Sequence, residues 1–118
     1  IVHGNDYNTK DGTTIRDFIH VLDIAEIHMI VAKELILKSE NEIYNCGYGK
    51  GISVQDVINE MNNLLKIKLP VEFGPRRKGD ANYSVANADK FSKRFSWQPK
   101  FNDLKVILES ALNWEKKI

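Results

Sequence analysis

Three groups of residues in this chain could do chemistry. The first is Arg16-Asp17, a charged pair set among Ile15, Phe18, Ile19 and Val21. A guanidinium on an otherwise apolar strand is costly unless an anion or a good set of acceptors meets it. The second is Gly74-Pro75-Arg76-Arg77-Lys78-Gly79-Asp80, three consecutive cations with an acid close behind. Arginine suits phosphate oxygens and a carboxylate suits hydroxyls, so the loop could hold a phosphate and a hydroxyl together. A solvated basic loop is the alternative, and the residues alone leave both open. The third is Gly47-x-Gly49-x-Gly51 ahead of Ser53. Glycines before a helix N-terminus can cradle phosphate. Here the spacing is neither that of a P-loop nor that of a dinucleotide loop, and a tight strand-to-helix turn is the favoured reading.

The remaining candidates read as structural. Cys46 has no histidine nearby and reads as a small core residue rather than a nucleophile. As the single cysteine it permits no intrachain disulfide, which suits a reducing cytosol. His28 falls on or beside an apolar helical stripe and reads as a packed, hydrogen-bonded side chain.

The elements that must position these groups follow from periodicity and punctuation. Residues 1–4 read as the end of a strand, and 5–12 as a loop rich in turn formers. Thr13 to Val21 reads as extended. Asp23 is placed as the cap of a helix over 23–38, with Ile24, Ile27, His28, Val31 and Leu35 on its buried face and Met29, Ala32 and Ile36 widening it. Ser39-Glu40-Asn41 ends that helix. Glu42 to Cys46 reads as a short strand. Ser53 with Asp56 is close to a capping box, opening a helix whose apolar face is Val54, Val57, Ile58, Met61, Leu64 and Leu65. Pro70 to Phe73 and Asn82 to Ala86 read as strands, and Asp89 to Phe95 as a short helix. Trp97 to Phe101 is a bend, where Pro99 forbids helix. Asn102 or Asp103 caps a last helix built on Leu104, Ile107, Leu108, Ala111 and Leu112, with Trp114 packed close to it.

Composition sets the bounds. The 118 residues are 42% hydrophobic and 28% charged, enough for one folded α/β unit without repeats or linkers. The net charge of +1 gives no global field for nucleic acid or membrane. It is uneven, at −3 over residues 1–50 and +4 over 51–118, which hints at an anion site in the second half or a solvated basic face. No run is apolar enough to span a bilayer. The opening residues lack a signal-peptide pattern and an initiator Met, so the numbering is expected to begin inside a longer protein.

Two motifs go beyond generic physics. Asp11-Gly12-Thr13-x-x-Arg16-Asp17-Phe18-Ile19-His20-Val21-x-Asp23-Ile24-Ala25 resembles the signature of the UDP-glucose (UDP-galactose) 4-epimerase family of the extended short-chain dehydrogenase/reductases. Tyr44-Asn45-x-Gly47-x-Gly49-x-Gly51-x-Ser53-Val54, then Pro75-Arg76-Arg77-x-Gly79-Asp80, follow in the same order, and Asp89-Lys90, Trp97-x-Pro99 and Trp114 resemble its C-terminal end. The resemblance implies an α/β fold, the small C-terminal substrate-binding lobe with short strands and about four helices, spanning residues 1–118.

It also implies that NAD is held by an N-terminal Rossmann domain absent from this chain, together with the catalytic Tyr-x-x-x-Lys. Four residues after Tyr7, Tyr44, Tyr48 and Tyr83 stand Asp11, Tyr48, Ile52 and Asn87, none of them lysine. No catalytic residue is therefore expected here, and the chain alone is expected to be inactive.

By the same resemblance Arg16 and Arg77 clamp the pyrophosphate of a UDP-sugar, Asp80 accepts from ribose hydroxyls, and His3 flanks uracil where phenylalanine is common. Ser84 sits where side-chain size limits room beside the sugar's C2 substituent, so a small serine implies tolerance of N-acetylated UDP-sugars. Asp17 and His20 read as structural, with Asp17 buttressing Arg16 or nearby backbone donors. The parent is expected to be a cytoplasmic homodimer of galactose metabolism. The alternatives are the lobe of a related sugar-nucleotide dehydratase or decarboxylase, or a non-catalytic UDP-sugar-binding module. A nucleic-acid domain using Arg76, Arg77, Lys78, Lys90, Lys93 and Arg94 would lack a helix-turn-helix, an aromatic platform and a strongly basic pI.

Overall fold

Capping chemistry fixes where the helices begin. The computed structural model describes residues 1–38 and 41–117. Its elements run β1 (Val2–His3), β2 (Ile15–Asp17), α1 (Val21–Lys38), β3 (Gly51–Ser53), α2 (Val54–Leu65), β4 (Phe73–Gly74), β5 (Tyr83–Ser84), α3 (Asp89–Phe95) and α4 (Leu104–Glu115). For α2 the capping box is complete: Asp56 N–H donates to Ser53 Oγ at 3.0 Å, and Ser53 N–H to Asp56 Oδ2 at 3.1 Å. For α4 the cap is Asp103, whose carboxylate accepts from Val106 N–H.

Helix α1 departs from expectation. It begins at Val21, and its cap is His20, whose Nδ1 accepts from Leu22 N–H at 3.1 Å. Asp23 lies within the first turn, fully buried, and does a different job. Its carboxylate accepts from Lys100 N–H at 3.2 Å, Phe101 N–H at 3.1 Å and the Tyr48 hydroxyl at 2.5 Å. It thereby ties α1 to the bend before α4. The residues assigned to the end of α1 by sequence, Ser39 and Glu40, lie outside the described residues.

The strands are short and form two sheets. β1 pairs parallel with β4. β2 sits between antiparallel β3 and parallel β5, with Arg16 opposite Ile52 on one side and Ser84 on the other. Residues 42–46 form no strand, contrary to the sequence pattern. Tyr44 and Cys46 turn onto the core, but no neighbouring segment offers a ladder, and Ile43 stands 85% exposed.

The main core is Ile27, Phe91 and Trp97, ringed by Ile19, Ile30, Val31, Tyr44, Cys46, Tyr48 and Phe95. Helices α2 and α4 pack together beyond the three-stranded sheet. The molecule measures 50 × 34 × 22 Å, more extended than a closed unit of this length. Three packing expectations are therefore corrected. Trp114 is 64% exposed. His28 is exposed too, its Nδ1 lying 2.7 Å from the Ile24 carbonyl. Met29, Leu35 and Ile36 are also exposed, because only the Ile27 side of α1 meets the core.

Burial pushes the Tyr48 hydroxyl up to about 12, with the Asp23 hydrogen bond acting in the same direction. The folded state thus prefers the neutral phenol. Its contribution is intact below the unfolded value near 10 and is lost as pH rises through about 12. Thermal unfolding followed across this range is expected to show a steep alkaline loss of stability, and Tyr48→Phe to start less stable and decline less.

Candidate functional site

The site is built on β2. Arg16 occupies its middle, with its side chain mostly covered. Its Nη1 donates to the Ile15 carbonyl at 2.8 Å, and its Nη2 lies 3.4 Å from Asp80 Oδ1. Cross-strand pairing puts Arg16 and Ser84 side by side on one face. Asp80 closes a turn in which its N–H donates to the Arg77 carbonyl at 3.2 Å, and Gly79 supplies the left-handed residue (φ +86°). The Arg77 side chain is exposed and forms no ion pair among the described residues. Four of the five residues singled out by sequence therefore share one rim: Arg16, Arg77, Asp80 and Ser84. His3 stands apart on β1, in the other sheet. It pairs with Gly74, where the backbone leads into the cationic loop.

Asp17 holds this rim in place. Its Oδ1 accepts from Tyr48 N–H at 3.1 Å, and its Oδ2 from Gly49 N–H at 2.9 Å and Ala86 N–H at 3.3 Å. A Cβ on Gly47 would stand 2.4 Å from that carboxylate, so only glycine fits there. Of the two roles open to Asp17, the backbone donors are the one it fills. His20 is likewise structural: buried, capping α1 and stacked on Phe101 at 4.5 Å.

The glycine-rich stretch does not fit a dinucleotide. Its amides at Tyr48 and Gly49 are spent on Asp17. The first amides of α2 are spent as well: Val54 on the Thr14 carbonyl, Gln55 on Thr13 Oγ1, Asp56 on Ser53 Oγ. Asp11 completes this arrangement, accepting from Thr13 N–H, Thr13 Oγ1 and Ser53 Oγ. Burial works against its carboxylate, but these donors outweigh it and hold the group below the usual range. Cys46 is half-buried, and burial pushes its thiol up, the opposite of an activated nucleophile.

Most of the other cations are matched by acids. Lys90 meets Glu42, Lys93 meets Asp89, Arg94 meets Glu34 and Arg76 meets Asp6. These pairs break up the basic surface that a nucleic-acid reading requires. The Asp6–Arg76 pair was not foreseen, since two residues in separate loops, 70 positions apart, share no periodicity or motif.

Comparison with known proteins puts a family to this geometry. Residues 3–47 match the NAD dependent epimerase/dehydratase family. The UDP-glucose 4-epimerase of Azospirillum brasilense is 39% identical over 117 residues, covering 99% of this chain and 34% of that protein. The chain is similar along its length to the UDP-glucose 4-epimerases. It spans about a third of the length of the curated relatives it matches. The UDP-Glc/GlcNAc 4-epimerase of Campylobacter jejuni superposes with a TM-score of 0.83 at 44% identity, over 99% of this chain and 35% of that one. The Bifidobacterium longum UDP-glucose 4-epimerase, solved in complex with NAD+ and UDP, gives 0.83 at 36% identity, over 98% and 34%. The α/β fold with four helices and short strands agrees with these epimerases.

Asn at position 17 would keep one carboxamide oxygen where Asp17 offers two. Hydrogen bonds to a charged acceptor contribute about 1.5–3 kcal/mol each. Asp17→Asn is expected to lower stability by about 2–3 kcal/mol, read as a fall in the urea midpoint.

Proposed function

We propose that this chain is the UDP-sugar-binding lobe, residues 1–118, of an NAD-dependent UDP-glucose/UDP-galactose 4-epimerase. The observation that carries the reading is the rim on β2, where a covered Arg16 stands beside Ser84 and meets Asp80, one turn from Arg77, which forms no ion pair among the described residues. Arg16 and Arg77 hold the diphosphate, because two guanidiniums offer charge and several fixed donors to its oxygens. Asp80 swings between Arg16 and the ribose hydroxyls, for which its carboxylate is an acceptor. His3 flanks the uracil. The chain's own residues do not fit NAD, so NAD, the proton transfer and the hydride transfer belong to another part of the parent protein. What this lobe contributes is binding energy taken from the UDP half, which leaves the hexose free to present either face.

The shape of α1 supports a partner domain. Leu22, Ala25, Met29, Ala32 and Ile36 recur on the side opposite Ile27, and all are exposed. A helix apolar on both sides is one that is buried on both sides. This face is where the NAD-binding domain of the parent would lie. We further place the parent in galactose metabolism, as a cytoplasmic homodimer. The single, inert Cys46 suits that compartment, and no helix among the described residues is long and apolar enough to cross a membrane.

Calorimetry with UDP tests the clamp. Arg16→Ala and Arg77→Ala are each expected to weaken UDP by about tenfold or more, the range of one lost charge-assisted contact. Unchanged affinity in both variants would remove the assignment. A second expectation concerns Ser84, which is exposed beside Arg16 and small. The full-length parent is expected to interconvert the N-acetylated UDP-sugar pair as well as UDP-glucose and UDP-galactose, and Ser84→Tyr to lose the former selectively. Failure to turn over the N-acetylated pair refutes this.

A further inference from the structure

Arg76, Arg77 and Lys78 are equivalent by sequence, but the fold separates them. Arg76 Nε donates to Asp6 Oδ1 at 2.7 Å, and its Nη2 donates to the Asp6 carbonyl. Its guanidinium carbon lies 4.4 Å above the ring of Tyr7, a residue only 6% exposed. Gly4 lets the two approach. A Cβ there would stand 2.5 Å from the Tyr7 ring and 2.8 Å from Arg76 Cγ, and its φ of +87° disfavours any side chain. The Gly4 N–H donates to the Gly74 carbonyl at 2.9 Å, so the cationic loop is fastened to the 4–12 loop at two successive points. Its far end is held where Asp80 meets Arg16. Between these anchors stands Arg77, in a turn whose Gly79 faces open space.

We propose that Asp6, Arg76 and Tyr7 form a strut that sets the direction of the 77–80 turn. Arg76 is then a positioning residue for Arg77 and Asp80, not a phosphate ligand. The proposal rests on the UDP-binding reading above. Two of the five Arg76 guanidinium hydrogens go to Asp6 and its face lies over Tyr7, so the group is held on the 4–12 side of the loop. An exposed ion pair of this kind contributes little to stability, so its effect belongs to site geometry. A tilted turn moves Asp80 together with Arg77, so loss of the strut weakens the ribose contact as well as the phosphate contact.

UDP and uridine titrated calorimetrically into wild type, Asp6→Asn, Arg76→Gln, Arg76→Lys and Asp6→Asn/Arg76→Gln separate the possibilities. The expected result is that Asp6→Asn and Arg76→Gln each weaken both ligands by roughly fivefold to tenfold, a geometric misplacement of contacts rather than their removal. The double variant is expected to be no worse than either single, as for residues acting as one unit. Arg76→Lys recovers part of the loss, and unfolding midpoints stay close to wild type. Weakening of UDP alone by Arg76→Gln, with Asp6→Asn silent, would make Arg76 a direct phosphate ligand and overturn the strut. So would unchanged binding in all variants, or a loss of affinity that only follows a large fall in midpoint. Wild type that binds neither ligand removes the UDP reading itself, a result distinct from any of these.

Discussion

The Asp17 carboxylate accepts amide hydrogens from Tyr48, Gly49 and Ala86, three donors from two separate segments. Strands of two or three residues cannot hold their own alignment; sheets normally draw on five or six. Here side-chain carboxylates take over part of what a ladder would do. Asp17 joins β2 to the glycine stretch and to the chain leaving β5. Asp11 joins the first loop to the Ser53 cap, and Asp23 joins α1 to the bend at Lys100 and Phe101. A charged acceptor with two oxygens can serve several donors at once, which suits junctions where irregular segments meet. The apolar core is modest by comparison, its fully buried members being few and scattered. The geometry of the rim is thus set by polar junctions, with Arg16 adjacent in sequence to the strongest of them.

What was legible in the sequence was mostly local. The Ser53–Asp56 box and the Asp103 cap, one of the two candidates offered for α4, rest on chemistry within one turn, and the bounds of α3 also stand as read. What failed depended on partners elsewhere. Residues 42–46 have the composition of a strand, but a strand is a relation between two segments, and among the described residues none pairs with this one. The apolar residues of α1 were assigned to one broad face because periodicity reports that a side is apolar, not which neighbour it meets. Asp23 looked like a cap because caps are the common use of aspartate before an apolar run; its actual donors are Tyr48, Lys100 and Phe101, 25, 77 and 78 residues away.

The rim residues come from a different source. Family resemblance supplied Arg16, Arg77, Asp80 and Ser84, and the cross-strand register then put Arg16 next to Ser84 without further assumption. Physics alone could say only that Arg16 needed an acceptor. It could not separate Arg76 from Arg77, since the distinction lies in Asp6 and Tyr7, which have no pattern linking them to the cationic loop.

The interleaving of β2 with distant partners also has a temporal side. Arg16 meets Asp80 across 64 residues, and Asp17 meets Ala86 across 69. Closing loops of that length costs entropy before any contact compensates it, and such non-local pairing slows folding. As the chain is made, Arg16 appears 70 residues before Ala86, and its surroundings stay incomplete until Ala86 has followed. Helices α1 and α2 can form in the interval, but the rim cannot. The arrangement of the rim is then one of the last features these residues acquire.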